Sequence, residues 1–207
     1  MRDLFKKTFC ALILVSLSHA QASDCTQAQN PLPLKLVYPA SSELASPVDV
    51  QFELNGDNLI ALFNVRTATI NAKPVLGPKE YPFQADVVEL FLSVVDGAEP
   101  FPYYELELSP YENTYEVRID SLKKPFVDNI KMGLRYEVKR SQSGWQARLE
   151  IPLKNLGWNG NPSAIRGNAY SILGKSPNRS FWSAFLPKQA KPSFHKPEFF
   201  KPLLQCR

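Results

Sequence analysis

Histidine is scarce in this sequence, and the motifs of common enzymes are missing. The 207 residues include two histidines, His19 and His195, and three cysteines. No G-x-S-x-G turn supplies a nucleophilic serine, and neither G-x-x-x-x-G-K nor G-x-G-x-x-G is present to bind phosphate. The same counts exclude a histidine-rich zinc site. We therefore expect a protein that is not an enzyme.

Long apolar runs are also lacking, apart from a short one near the N-terminus. Three basic residues precede the apolar run 8–17, and Ala20-Gln21-Ala22 offers a small-x-small cleavage site. This order is typical of a signal peptide, which we predict over 1–22. We expect an exported protein, periplasmic or extracellular in a bacterium. No run of about 20 apolar residues follows, so we expect no membrane insertion.

A strong charge of one sign is absent as well. The formal net charge is +4, and removal of 1–22 lowers it to +2 because that segment holds three basic residues and one acidic residue. No run of lysine and arginine suggests an arm that binds DNA or RNA. We expect no nucleic-acid partner.

Only two cysteines, Cys25 and Cys206, remain after removal of the segment 1–22. Thiols pair in oxidising compartments, and the two ends of a domain often lie close together. We therefore predict a disulfide between these two residues. Lipidation of Cys25, which Asp24 disfavours, and pairing of Cys206 between chains are the alternatives.

Proline, in contrast, is abundant, with 18 residues against 9 glycines. Because proline is excluded from helix interiors and central strands, this ratio rules out a helical bundle and favours short strands joined by turns. Nine segments have the composition of strands. They are 48–54, 59–65, 87–95, 103–109, 115–119, 134–139, 145–151, 169–173 and 181–185. We predict an all-β fold, an antiparallel β-sandwich of about nine or ten strands, forming one domain over 34–207 after a polar lead-in at 23–33.

Two of these strands carry acidic residues in an alternating pattern. In 87–95, Glu89 falls on the face opposite Val88 and Leu90, and in 103–109 Glu105 and Glu107 share one face. We expect both carboxylates of 103–109 to point outward into solvent. Their spacing would also suit an acid–base pair or a structural calcium ion, which is the alternative to having no cofactor.

Six motifs, in order over about 75–204, resemble those of family 9 carbohydrate-binding modules and their stand-alone relatives. They are D-V-V-E-L-F-L at 86–92, Y-Y-E-L-E-L-S at 103–109, G-W…I-P-L…L-G over 144–157, R-G-N-A-Y at 166–170, F-W-S at 181–183 and F-H-K-P-E-F-F at 194–200. The resemblance implies a jelly-roll-like sandwich of the CBM9-like or DOMON-like type. It also implies a non-catalytic protein whose cleft grips a carbohydrate, at the end of a sugar chain.

The resemblance places the sugar between two aromatic rings, Phe83 and Phe194, with Glu89, Glu107 and Tyr170 in the polar rim. A pyranose has an apolar C–H face that packs on an aromatic ring, and hydroxyls that need hydrogen-bond partners. The sugar-binding modules carry tryptophan where this chain has the two phenylalanines, and the well-studied ones carry a basic residue in place of Glu107. These departures leave the sugar open.

Other roles for the same residues remain open. Phe83 and Phe194 would also suit core packing, Glu89 would suit a solvated position, and Asp86 either caps a turn or contacts the ligand. Two further functions compete with sugar binding. One is an envelope interaction or scaffold protein that has lost the sugar site. The other is haem binding, with Met132 and His195 or a lysine as axial ligands.

Overall fold

The computed structural model describes residues 30–39 and 45–205 of the chain, and these residues form β-strands joined by turns. The predicted signal peptide 1–22 and both cysteines of the predicted disulfide lie outside them. The strands are β1 (Leu32–Pro33), β2 (Lys35–Tyr38), β3 (Val48–Asn55), β4 (Asn58–Arg66), β5 (Val87–Ser93), β6 (Tyr103–Leu108), β7 (Thr114–Ile119), β8 (Val127–Asp128), β9 (Arg135–Ser141), β10 (Gly144–Pro152), β11 (Arg166–Lys175), β12 (Asn178–Ser183) and β13 (Lys201–Pro202).

The strands form two antiparallel sheets, which confirms the predicted all-β sandwich. The five-stranded sheet has the order β1-β3-β4-β10-β9, and the eight-stranded sheet has the order β2-β12-β11-β5-β6-β7-β8, with β13 paired to β11. The four strands that were not predicted, β1, β2, β8 and β13, have two to four residues each. Such segments are too short to show a period of two. One of them, β1, occupies the last two positions of the predicted polar lead-in and pairs with β3.

Two hairpins set the register of β3 with β4 and of β9 with β10 in the five-stranded sheet. Asn55 pairs with Asn58 across a two-residue turn, and Gly56 in that turn has a φ of 58°, which glycine adopts without strain. Ser141 pairs with Gly144 at the second hairpin. Each turn therefore sets which residues of its strands face inward.

The main core lies between the sheets, and β5 shows how the sequence pattern builds it. Val88, Leu90 and Leu92 are fully buried in the core between the sheets. Val87 and Phe91 belong to a second apolar cluster, which lies on the opposite face of the eight-stranded sheet. The predicted alternation along this strand is confirmed. The sheet that carries both clusters is thus covered on its outer face too.

The helical segments among the described residues are short 3₁₀ turns. They are Pro82–Gln84, Leu153–Leu156, Pro162–Ala164 and Pro197–Phe199. The turn 153–156 ends at Gly157, whose φ of 84° is left-handed, a conformation that glycine adopts readily at the end of a helical turn. Within the described residues, no helix has the length and apolar character needed to cross a membrane.

Candidate ligand cleft

The outer face of the eight-stranded sheet carries a cavity of about 190 Å³ where β5, β6 and β11 lie side by side. Its lining residues come from the strands, from the turn 82–84 that precedes β5 and from the segment that follows β12. They are Phe83, Glu89, Phe91, Glu105, Ile172, Phe181, Pro192, Ser193, Phe194 and His195. Aromatic rings and two carboxylates therefore meet in one small cleft.

Strand register brings the acidic residues together at this cleft. Glu89 of β5 pairs directly with Glu107 of β6, and Phe91 pairs with Glu105. On the other side of β5, Glu89 pairs with Tyr170 of β11. Because alternate residues of a strand share a face, all these side chains lie on the outer face of the sheet.

The expectation that Glu105 and Glu107 are solvated is wrong. The exposed fraction of Glu105 is 7%, Glu107 has none, and Glu89, for which a solvated position was one alternative, is 2% exposed. The side chains do point to the outer face, but that face is covered. Phe194 and Phe181 pack there in the second apolar cluster, and Phe83 packs against it.

The three carboxylates form a tight group with unused hydrogen-bonding capacity. One oxygen from each of Glu89, Glu105 and Glu107 lies within 4.8 Å of the other two. The backbone N–H of Phe83 donates to Glu107 Oε2 at 3.0 Å. Glu107 Oε1 and Glu89 Oε1 are buried and have no hydrogen-bond partner among the described residues. A buried acceptor without a donor is costly, so the group is suited to bind a ligand that supplies hydrogen-bond donors or positive charge.

Burial also changes the acidity of these groups. It raises the pKa of Glu89 and of Glu107 well above the ordinary value, and repulsion between the neighbouring carboxylates adds to the effect. Burial raises the pKa of Glu105 to about 7, although its contact with Glu107 works in the opposite direction. Without a partner, the group therefore holds protons at neutral pH.

The two rings that the resemblance implies, Phe83 and Phe194, differ from each other in burial and in stacking partner. Phe194 is 7% exposed and stacks on Tyr170, with ring centroids 4.3 Å apart. Phe83 is half-buried in the turn 82–84 and stacks on Tyr81 at 5.2 Å. Both rings line the cavity. The Tyr170 hydroxyl donates to the Phe194 carbonyl at 3.1 Å, so it supports the segment that carries that ring.

His195 closes one side of the cleft. Its Nδ1 lies 2.9 Å from the Tyr103 hydroxyl, in a hydrogen bond whose direction depends on the tautomer. Its Nε2 lies 3.8 Å from Glu105 Oε2. Burial lowers the pKa of the imidazole, which favours the neutral ring at pH 7. The histidine thus borders the carboxylates without supplying a full positive charge.

Two other sequence hypotheses are decided by position. Asp86 is buried, and its carboxylate accepts the N–H groups of Asn71 at 2.7 Å and Gly174 at 2.6 Å, so it joins loop to strand and does not line the cavity. Met132 packs in the core between the sheets, whereas His195 lies on the outer face of the eight-stranded sheet. These two residues therefore cannot serve as axial ligands of one haem.

Of the residues that line the cleft, Glu89, Phe83 and Phe194 were predicted from the resemblance. Glu105 was predicted only as an alternative acid–base or calcium residue, and Phe91 and Phe181 were not predicted. Period two places Phe91 on the same face as Glu89, which was a usable signal. The position of Phe181 could not be read in this way because it depends on the pairing of β12 with β11.

Two larger cavities, of about 390 and 600 Å³, lie elsewhere and carry no such group of unpaired acceptors. In the first, the Lys73 ammonium pairs with Glu80. In the second, Asp49 accepts from Asn64 at 2.8 Å and pairs with Arg66. The second is also lined by Trp145, whose buried Nε1 has no partner among the described residues, but neither cavity is lined by a described carboxylate oxygen that is buried without a donor, which favours the smaller cleft as the candidate site.

Comparison with known proteins finds similar folds but no significantly similar sequence. No protein-family model matches this sequence, and no curated protein is significantly similar to it. A Bacteroides uniformis protein provisionally described as carbohydrate-binding aligns with a TM-score of 0.65 at 18% identity, covering 84% of each chain. A family 9 carbohydrate-binding module from Caldicellulosiruptor kristjanssonii, solved with cellotriose, aligns with a TM-score of 0.54 at 12% identity, covering 84% of this chain and 78% of the module. The chain therefore has a CBM9-like fold.

Proposed function

We propose that this protein binds a carbohydrate, without catalysis, in the cleft between Phe83 and Phe194. The observation that carries the proposal is the pairing of aromatic rings with buried carboxylate oxygens that lack a hydrogen-bond donor. An aromatic ring packs on the apolar face of a sugar, and sugar hydroxyls supply the missing donors. The similar structures, a family 9 module with cellotriose among them, agree with this choice of ligand.

The size of the cleft favours one sugar residue. Its volume of about 190 Å³ is below the roughly 300–1,000 Å³ of pockets that enclose drug-sized ligands. A single pyranose ring at the end of a chain is therefore the proposed occupant, with the rest of the chain outside the cleft.

The arrangement of the carboxylates favours binding over hydrolysis. A glycosidase needs two carboxyl groups on either side of the scissile bond, roughly 5–9.5 Å apart. Here the oxygens of Glu89, Glu105 and Glu107 lie within 4.8 Å of one another and on the same face of the sheet. A substrate would lie beside this group and not between its members.

Location follows from the sequence alone. The predicted signal peptide 1–22 would deliver the protein to the periplasm or the cell exterior, where envelope and extracellular polysaccharides are found. We include export in the proposal on this ground.

One observation favours a second function, that of an interaction protein without a sugar site. Phe194 presents little surface, because it is 7% exposed and stacked on Tyr170. A ring that is already covered offers less area to a sugar than an exposed tryptophan would.

A glycan array followed by calorimetry of the retained sugars tests the choice between the two. We expect at least one glycan to bind wild-type protein, and Phe83→Ala to weaken it by about 1–3 kcal/mol. Tyr136→Ala, which alters a 42% exposed ring on the other sheet, should bind as wild type does. Absence of any retained glycan, or equal binding by all three proteins, would favour the interaction protein.

A further inference from the structure

We infer that Glu89, Glu105 and Glu107 form a calcium-binding site at the floor of the cleft. The first observation is their geometry, since one oxygen from each lies within 4.8 Å of the other two. Two oxygens bound to one Ca²⁺ at about 2.3–2.6 Å can be at most about 4.6–5.2 Å apart. The observed spacing meets that limit without any movement of the strands.

The second observation is independent of the spacing and points to a missing partner. Glu107 is fully buried and Glu89 is 2% exposed, yet one carboxylate oxygen of each has no hydrogen-bond partner in the described part of the chain. Glu89 lines the cavity. A cation at this point would bind carboxylates whose hydrogen-bonding capacity the described part of the protein leaves unused.

Local contacts hold the carboxylates in position for a shared ion. The Phe83 N–H binds Glu107 Oε2 and leaves Oε1 for another partner. Glu89 and Glu107 face each other across β5 and β6, an arrangement in which the two groups repel once both have lost their protons. A divalent cation converts that repulsion into attraction, because both carboxylates then bind a common positive charge.

The donor set selects the kind of ion. All three ligands are carboxylates, which suit hard cations such as Ca²⁺ and Mg²⁺. Mg²⁺ demands near-ideal octahedral geometry and keeps several waters, whereas Ca²⁺ accepts flexible coordination by carboxylates, so a site supplied by three glutamate side chains fits Ca²⁺ more readily.

The site also deepens the proposed function, on which this step rests. Three carboxylates, one of them partly engaged by Phe83, leave positions open on an ion that takes six to eight oxygens. Glu89 and Glu105 line the cavity, so those positions face the space assigned to the sugar. Two hydroxyls of the sugar, bound to the ion instead of to the carboxylates, and a second oxygen from one of the three glutamates would bring the coordination to six.

The test uses the full exported chain after treatment with a chelator and exchange into metal-free buffer. Calorimetric titration with CaCl₂ at neutral pH should show one site per chain, and calcium should raise the melting temperature. Glu107→Gln and Glu105→Gln should each weaken calcium binding by about tenfold or more, the lower end of losses on disturbing a metal site. Glu137→Gln, which changes an exposed carboxylate on β9, should bind as wild type does.

Each result has one interpretation. No saturable binding by wild type, or equal binding by all variants, would overturn the site; circular dichroism identifies any variant that fails to fold, and Glu89→Gln then replaces it. Sugar binding is then measured with calcium and with chelator. Calcium binding without any glycan binding leaves the site standing and rejects the proposed function. Glycan binding with no calcium bound rejects the site and keeps the function.

Discussion

Glu89 and Glu107 lie directly opposite each other on neighbouring strands, and each keeps one buried carboxylate oxygen without a hydrogen-bond partner among the described residues. Such a pair is costly in a sheet, because the two carboxyl groups must either hold protons or repel each other as charges, and each oxygen has lost its hydration. Glu105 adds a third carboxylate beside them. Perturbed carboxyl groups of this kind, collected at the floor of a cleft, are typical of functional sites, which supports the proposed role of this cleft.

The carboxylate group should make the metal-free protein less stable as pH rises. Burial raises the pKa of Glu105 to about 7 in the folded state, so the folded protein holds a proton that the unfolded chain releases near pH 4.5. The contribution of this proton to the free energy of unfolding, about 3 kcal/mol, is complete below that pH and is lost as pH rises through about 7.

Urea denaturation in chelator between pH 5 and pH 8 measures this effect. His195 works in the opposite direction, because its lowered pKa makes protonation at acid pH unfavourable for the folded state. The difference between wild type and Glu105→Gln isolates the carboxylate. A difference that does not change with pH would contradict the prediction.

Truncation of the two cleft rings should lower the free energy of unfolding by different amounts. Phe194→Ala removes a buried ring that stacks on Tyr170, and it should lower the free energy of unfolding by about 3–5 kcal/mol. Phe83→Ala removes a half-buried ring at a turn and should cost about 1–2 kcal/mol. Denaturation of both variants, with Tyr136→Ala as control, checks the order. Equal losses would show that both rings are core.

Asp86 should matter for stability and not for ligand binding. Its carboxylate accepts two backbone N–H groups in a buried position, and Asp86→Ala leaves both donors unpaired. We expect a loss of about 2–4 kcal/mol of unfolding free energy. A variant with intact stability and weakened glycan binding would place Asp86 in the site instead.

The predicted disulfide between Cys25 and Cys206 lies outside the described residues and is tested by intact mass. Exported protein should be two mass units lighter before reduction than after it. The bridge closes a loop of about 180 residues and should stabilise the fold by about 5 kcal/mol in the loop-entropy treatment. Two free thiols, a lipid adduct on Cys25 or a reducible dimer would contradict it.

The strands and their faces were accessible from sequence because they depend on local chemistry. Val88, Leu90 and Leu92 alternate with Val87, Glu89 and Phe91, and the structure buries the first set between the sheets. Turn residues at 55–58 and 141–144 set two hairpins. Short strands such as Val127–Asp128 escaped prediction because two residues carry no period.

The environment of the site was decided by tertiary structure. Period two assigned Glu105 and Glu107 to the face opposite Leu106, which is the face they occupy, but the inference that this face is solvated was wrong. Burial depends on what packs over a face, and here the segment containing Phe194 and His195, about ninety residues further along the chain, covers it. The sequence by itself determined the sandwich and the side on which each carboxylate points, because alternation is a property of one strand. Only the tertiary structure brought Glu89 of β5 against Glu107 of β6 under an aromatic cover, because register and covering contacts join residues that are distant in sequence.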